Sequence, residues 1–295
     1  MRVLLLGTAA GGGFPQWNCA CALCKSGATP RTQDCVAVSA DGVGWYLINA
    51  SPDIRAQILG NPALHAGPGP REIPIRGVLL TDAELDHSLG LLMLREAGGL
   101  PVWAPPAVLH ALRDCFPVRD VIDGYGGWEW LPAGSSLGSL RVSVLPVSDK
   151  HPKYARSSTV EGPWVVAYRI EDPATGGVFV YAPCLKSWPD GFDEFVADAG
   201  LVLLDGTFYS PGEMSGATAS GVSDDAQHVM GHIPIAGEHG SLRRIAAHRE
   251  AGSGAHWAYT HLNNTNPVLD PGAPEHSAVR LAGAELPLDG TEYKL

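Results

Sequence analysis

Short apolar runs rich in β-branched and aromatic residues recur along the chain. They predict strands over Arg2–Leu6, Cys35–Ser39, Trp45–Asn49, Gly77–Leu80, Leu140–Val147, Trp164–Ile170, Val178–Tyr181, Leu201–Leu204 and His256–Tyr259. Between them, apolar residues three or four apart predict helices over Leu89–Ala97, Pro106–Arg113, Phe192–Ala199, Leu242–Ala251 and Pro274–Ala282. Strands outnumber helices and the two are interspersed, which predicts an α/β or α+β layered fold with helices covering sheets. There is no internal repeat, and the Gly- and Pro-rich stretch Ala66–Arg71 reads as a loop within the fold. Residues 1–295 are therefore expected to form a single domain.

Composition narrows the function. Hydrophobic residues make up 45% of the 295 and charged ones 17%, enough apolar surface for a sizeable core and too little charge for a disordered chain. Twenty basic against thirty-one acidic side chains leave a formal charge of -11, which opposes polynucleotide binding. The apolar run ending at Leu6 is too short for a secretory signal, and no later run is long enough to span a membrane. The expectation is a soluble cytoplasmic protein with no nucleic-acid or membrane partner.

Two local patterns carry chemistry. The first is Cys19-Ala20-Cys21-Ala22-Leu23-Cys24, placed just after Gly11-Gly12-Gly13. Three thiolates within six residues converge on one Zn²⁺ at little entropic cost, so this knot is expected to hold structural zinc, with a fourth ligand from elsewhere. Cys35, Cys115 and Cys184 stand alone and read as buried free thiols, and Trp17 and Trp45 as core or loop anchors. The second pattern is Leu79-Leu80-Thr81-Asp82-Ala83-Glu84-Leu85-Asp86-His87, a strand running into acids and a histidine before a helix. Acids at a helix start complement its dipole, but three carboxylates and an imidazole at a strand end also make a metal-competent cluster. The motif is echoed downstream. Leu201–Leu204 leads into Asp205-Gly206-Thr207, Trp257–Thr260 into His261, and Val144–Ser148 into Asp149-Lys150-His151.

Taken together, Thr81 to His87, then His151, Asp205 and Thr260-His261, resemble the metallo-β-lactamase superfamily, whose first motif reads H-x-H-x-D-H. Longer strings narrow the resemblance. They include Gly7 through Cys19, Asn49-Ala50-Ser51-Pro52-Asp53, Met230-Gly231-His232, Glu238-His239-Gly240 and His261-Leu262-Asn263-Asn264-Thr265-Asn266-Pro267. They span nearly the whole chain and are similar to the pyrroloquinoline quinone (PQQ) biosynthesis B family. The resemblance implies a metallo-β-lactamase-like αββα sandwich. Where hydrolases of this superfamily place two motif histidines, this chain has Asp82 and Glu84, which argues against a dinuclear zinc hydrolase; His151 with those carboxylates would suit a harder ion. Asp86, His87 and His261, with Asp205 as the bridging carboxylate, match the second metal site. Two imidazoles and a carboxylate are the ligand set of mononuclear non-haem Fe(II) oxygenases.

The family resemblance further implies PQQ assembly, by iron- and O₂-dependent hydroxylation of the tyrosine-derived ring in a cross-linked glutamate-tyrosine precursor. The alternatives are a carrier for PQQ or its precursor and a metal-dependent hydrolase. On this reading His232 and His239 are candidates for proton transfer, because imidazole titrates near neutrality. The carboxylates of such a substrate call for cations. Lys150, Lys153 and Arg156 beside His151 are candidates, as are Arg243 and Arg244. Asn263, Asn264 and Asn266 flank His261 and are expected to contact substrate or orient the ligand. In related phosphodiesterases with the same cysteine knot a histidine stands at the position of Asn264 and completes the zinc site, so the fourth ligand here is left open. A homodimer is compatible with these features.

Overall fold

The computed structural model describes residues 1–134, 136–213 and 230–295. Its strands are β1 (Arg2–Gly7), β2 (Cys35–Ser39), β3 (Trp45–Ile48), β4 (Ile75–Leu79), β5 (Pro101–Ala104) and β6 (Glu129–Pro132), followed by β7 (Arg141–Ser148), β8 (Val165–Asp172), β9 (Gly177–Ala182), β10 (Leu201–Asp205), β11 (His256–Thr260), β12 (Ala284–Glu285) and β13 (Glu292–Lys294). They form a sheet of order β13-β1-β2-β3-β4-β5-β6 and a second of order β12-β11-β10-β9-β8-β7.

The period of two along each strand explains the layering. Val3 and Leu5 of β1, Val36 and Val38 of β2, Phe179 and Tyr181 of β9 and Leu201 and Leu203 of β10 share one core, which lies between the sheets. The alternate residues Leu4 and Leu6 join Ile54, Leu91, Val108 and Ile122, which lie on helices over the first sheet. Likewise Val202 and Leu204 join Phe192, Val196, Ile245 and Val279 over the second. Strands apolar on both faces need cover on both faces, and the result is an αββα sandwich.

Several predicted elements differ in extent. The stretch expected to be one helix from Leu89 is two short turns, Leu85–Ser88 and Gly90–Met93, so that Asp86 and His87 sit inside the first turn. Helix Pro106–His110 runs on as a wider π turn, Ala111–Cys115. Strands β5, β6, β12 and β13 and the helices Ile54–Gly60 and Val118–Asp123 were not predicted, because two to seven residues are too few for a periodicity to show.

Gly90 lies where the two turns meet and matters for the site. Its N–H donates to Ala50 O at 2.8 Å, and a Cβ there would stand 2.3 Å from Ser51 O and 2.6 Å from Ala50 O. Backbone carbonyls cannot swing aside, so Gly90→Ala is expected to lower stability by about 1–3 kcal/mol in chemical denaturation. It should also displace the neighbouring His87.

Candidate metal centre

The site forms where the C-terminal ends of parallel strands from both sheets meet. The first sheet contributes Thr81 to His87, which follow β4. The anchor is Asn49, whose left-handed backbone (φ 65°) turns its side chain under β4. Its Oδ1 accepts from Thr81 N at 3.0 Å and lies 3.1 Å from Thr81 Oγ1, whose proton goes to Asp82. Asp82 is buried and accepts from Thr81 Oγ1 at 2.8 Å and Glu84 N at 2.9 Å. Its two oxygens also lie 2.8 and 2.9 Å from His87 Nδ1. Asp82 thus holds the imidazole by Nδ1 and turns Nε2 into the cleft. That Nε2 is buried without a hydrogen-bond partner, 4.0 Å from Asp86 Oδ2.

The second sheet supplies the facing groups. His261 follows β11 with a left-handed backbone (φ 55°), a conformation costly for a residue with a Cβ and common at functional sites. Thr207 Oγ1 donates to Asp205 Oδ1 at 2.7 Å, so its oxygen is left to accept from His261 Nδ1 at 2.8 Å. His261 Nε2 then points to Asp86 Oδ2, 3.3 Å away. His232 Nδ1 lies 2.8 Å from Asp205 Oδ2. All three imidazoles are held through Nδ1 by an oxygen, the arrangement that fixes the tautomer of a metal-binding histidine. Against Asp86 stands Gly11 of the glycine loop, where a Cβ would lie 3.0 Å from Oδ2.

Charge follows from this geometry. Burial alone would push His87 down, but the charges of Asp82 and Asp86 outweigh it and raise the imidazole to about 10. Burial likewise opposes ionisation of Asp86, and His87 and His261 overcome it to hold the carboxyl well below the usual carboxylate range. Asp34 is fully buried and accepts from Tyr181 OH and Thr260 Oγ1. Burial raises its pKa.

The cleft encloses about 610 Å³, and Asp86, His87, His232 and His261 line it with Lys150 and Cys184. Arg156, Lys153, Glu84, His151 and Asn263 also line it. Lys150 Nζ pairs with Glu84 Oε1 at 3.0 Å, and His151 lies on Trp164 with ring centroids 4.0 Å apart. Asp82, Glu84 and His151 are therefore each engaged elsewhere, on His87, Lys150 and Trp164. Among the described residues no converging group of metal-competent donors includes any of them or Asp86, but Asp86 Oδ2 lies 3.3 Å from His261 Nε2 and 4.0 Å from His87 Nε2. Asp205 does converge with His232 and His261, but its oxygens already accept from Leu185 N, Thr207 N and Thr207 Oγ1 and contact His232.

Several expectations are corrected. His239 is exposed in the turn before helix Ser241–Glu250 and does not line the cleft; that turn, closed by Gly240 N to Gly237 O, faces solvent. Asn264 belongs to the cysteine knot and not to a substrate pocket: its Nδ2 donates to Cys24 Sγ at 3.4 Å, and its carbonyl lies 4.0 Å from Cys21 Sγ. The knot itself is assembled, with the sulfurs of Cys19, Cys21 and Cys24 within 4.8 Å of one another. Arg243 donates to Glu238 O and Arg244 lies over Trp188, both away from the cleft. Trp17 is 88% exposed and anchors no core, whereas Trp45 is fully buried. Cys184 reaches the cleft, so it is not merely a core thiol; its place just after β9, which pairs with β10 and so lies two strands from β11, was the signal available.

No helix among the described residues is long and apolar enough to cross a membrane. A two-sheet sandwich with its donor groups at the strand ends defines a β-lactamase superfamily domain, and residues 44–257 match that domain. The chain belongs to the coenzyme PQQ synthesis protein B family. It is 36% identical to coenzyme PQQ synthesis protein B of Azotobacter vinelandii and 39% identical to that of Methylobacterium radiotolerans, in each case over 100% of both chains. The crystal structure of Zn²⁺-bound PqqB from Methylobacterium extorquens superimposes with a TM-score of 0.88 at 34% identity, again over 100% of both chains.

Proposed function

We propose that this protein hydroxylates the tyrosine-derived ring of a cross-linked glutamate-tyrosine precursor of PQQ, using Fe(II), O₂ and an external two-electron reductant, so that one oxygen atom enters the ring and the other leaves as water. The observation that carries the reading is His87 Nε2, buried with no hydrogen-bond partner and facing Asp86 Oδ2 and His261 Nε2. A buried imidazole nitrogen without a partner is costly unless a metal completes it, so the residues fit the ion. Two imidazoles and one carboxylate leave open positions, and an iron bound there would supply activation of O₂. The chain's own groups do the rest. Asp82 and Thr207 hold the two imidazoles, His232 stands ready beside them to move a proton, and Lys150, Lys153 and Arg156 on the cleft wall offer cations to the substrate's carboxylates. The cysteine knot holds a structural zinc, in keeping with the Zn²⁺-bound relative. We place the reaction in the cytoplasm, whose reducing conditions keep the thiols of Cys19, Cys21 and Cys24 available for metal.

The test is anaerobic loading of the protein with Fe(II), followed by O₂, ascorbate as reductant and a glutamate-tyrosine adduct, with product mass followed in wild type and His87→Ala. Gain of oxygen that requires both iron and His87 is expected. No gain, with tight binding of finished PQQ by both proteins, would overturn the reading in favour of a carrier. Turnover of an ester without O₂ would favour a hydrolase. In the same assay Arg156→Ala should raise KM about tenfold with little change in kcat, the size of one charge-assisted hydrogen bond lost on binding.

A further inference from the structure

We propose that Cys184 is a thiolate ligand of the cleft metal, so that the protein donors are His87, Cys184 and His261 together with Asp86. The inference rests on the cleft being a metal site, as argued above, and specifies what that site selects.

Three observations support it. Strands β9, β10 and β11 are adjacent and parallel, so their C-terminal ends emerge side by side. Cys184, Asp205 and His261 stand at those three ends. The loop carrying the thiol is fixed in place, because Leu185 N donates to Asp205 Oδ2 at 2.8 Å. Second, donor atoms of His87, Cys184 and His261 all lie within 4.8 Å of one another, close enough for small side-chain rotations to bring them onto one ion. Third, the other convergent trio, Asp205, His232 and His261, is already knit together. The Thr207 hydroxyl sits among its members, 2.7 Å from Asp205 Oδ1, 3.1 Å from His232 Nδ1 and 2.8 Å from His261 Nδ1. The trio containing Cys184 instead includes the unpartnered Nε2 of His87. The thiol-containing set thus includes a buried donor nitrogen that no protein group satisfies.

A sulfur donor changes the metal preference. Carboxylate and imidazole alone accept harder ions readily, whereas a thiolate favours the borderline ions Fe²⁺, Co²⁺ and Zn²⁺ over Mg²⁺ and Mn²⁺, which is compatible with Fe(II) in the cleft. In the metal-free protein burial and the Asp82, Asp205 and Asp86 carboxylates hold the Cys184 thiol well above its usual range, with Lys150 opposing them, so an ion bound here must displace the thiol proton.

Cobalt distinguishes the cases, since a thiolate on Co(II) gives a near-ultraviolet charge-transfer band. Full-length protein with zinc in the cysteine knot is stripped of cleft metal and titrated with Co(II), in wild type, His87→Ala and Cys184→Ser. Any band that persists in His87→Ala arises from the knot and is subtracted. The expected result is a band in wild type that is absent from Cys184→Ser, while Cys184→Ser still binds Co(II) in the cleft with about tenfold or weaker affinity. Zn²⁺ affinity should fall similarly, with Mn²⁺ affinity changing much less. Visible cobalt absorption from the cleft of wild type without a charge-transfer band would overturn the role of Cys184 and leave the cleft metal standing. Wild type that takes up no more Co(II) than His87→Ala would overturn both. The comparison of wild type with His87→Ala needs no Cys184 variant, so the test survives if Cys184→Ser fails to fold.

Discussion

Asp82→Ala should lower stability by about 3–5 kcal/mol, because it removes one partner of a buried ion pair and leaves the other unpaired. It should also weaken cleft metal binding about 10–100-fold, the usual cost of removing the group that orients a ligating histidine. Both losses have one origin. Asp82 is buried beside His87, and its oxygens accept from Thr81, Glu84 and His87 at once. Without it the His87 ring has nothing to hold its Nδ1 end, and Nε2 no longer faces Asp86. Asp82→Asn keeps the shape and an acceptor, so it should retain most of the stability while losing the charge. Chemical denaturation and a metal competition titration measure the two effects separately.

The pH dependence follows from the same pair. In the metal-free protein His87 titrates near 10 when folded and near 6.5 when unfolded, so its folded pKa is raised. Its contribution to stability is therefore complete below about pH 6.5 and is lost as pH rises toward about 10. A metal needs the neutral ring, so metal affinity should move the other way and strengthen over the same window. Asp82→Ala should flatten both trends. A metal-free wild type whose stability held constant from pH 6.5 to 10 would show that the ion pair is not formed.

Cys21→Ser should empty the knot of zinc and lower the melting temperature by roughly 10 °C. A ligand present at a thousand times its Kd contributes about 4 kcal/mol, and each kcal/mol shifts Tm by about 2–4 °C in a domain near this size. The consequence should extend to the cleft. Asn264 contacts both Cys24 and Cys21 and lies three residues beyond His261, so loosening the knot loosens the loop that delivers a ligand. Zinc stoichiometry by native mass spectrometry and thermal melts with and without chelator check this. An unchanged melting temperature in a zinc-free variant would show that the knot does not brace the fold.

Much of this was legible in the sequence, for definite reasons. Strands β1, β2 and β8 to β11 are apolar on both faces, and that pattern is local. The cysteine knot is local too, since three thiols within six residues meet whatever the rest of the chain does. Asp86, His87 and His261 could be found because each follows an apolar strand. The roles of other residues were not legible. Asp82 reads as a weak substitute for a metal ligand and is instead the group that orients His87. Asn264, adjacent in sequence to Asn263, points to the knot while Asn263 lines the cleft. His239 sits in a motif-like string and faces solvent.

Sequence alone determined the layered α/β architecture, the cysteine knot and the strand-end placement of the donors, because hydrophobic period and short-range spacing are properties of neighbouring residues. Only the tertiary structure decided which donors share a point, that Thr207 and Asp205 are committed to each other, and that Cys184 stands among the imidazoles. Those relations join residues as far apart as Asp86 and His261, and they depend on strand order in the sheets and on the direction of each side chain, which no local pattern encodes.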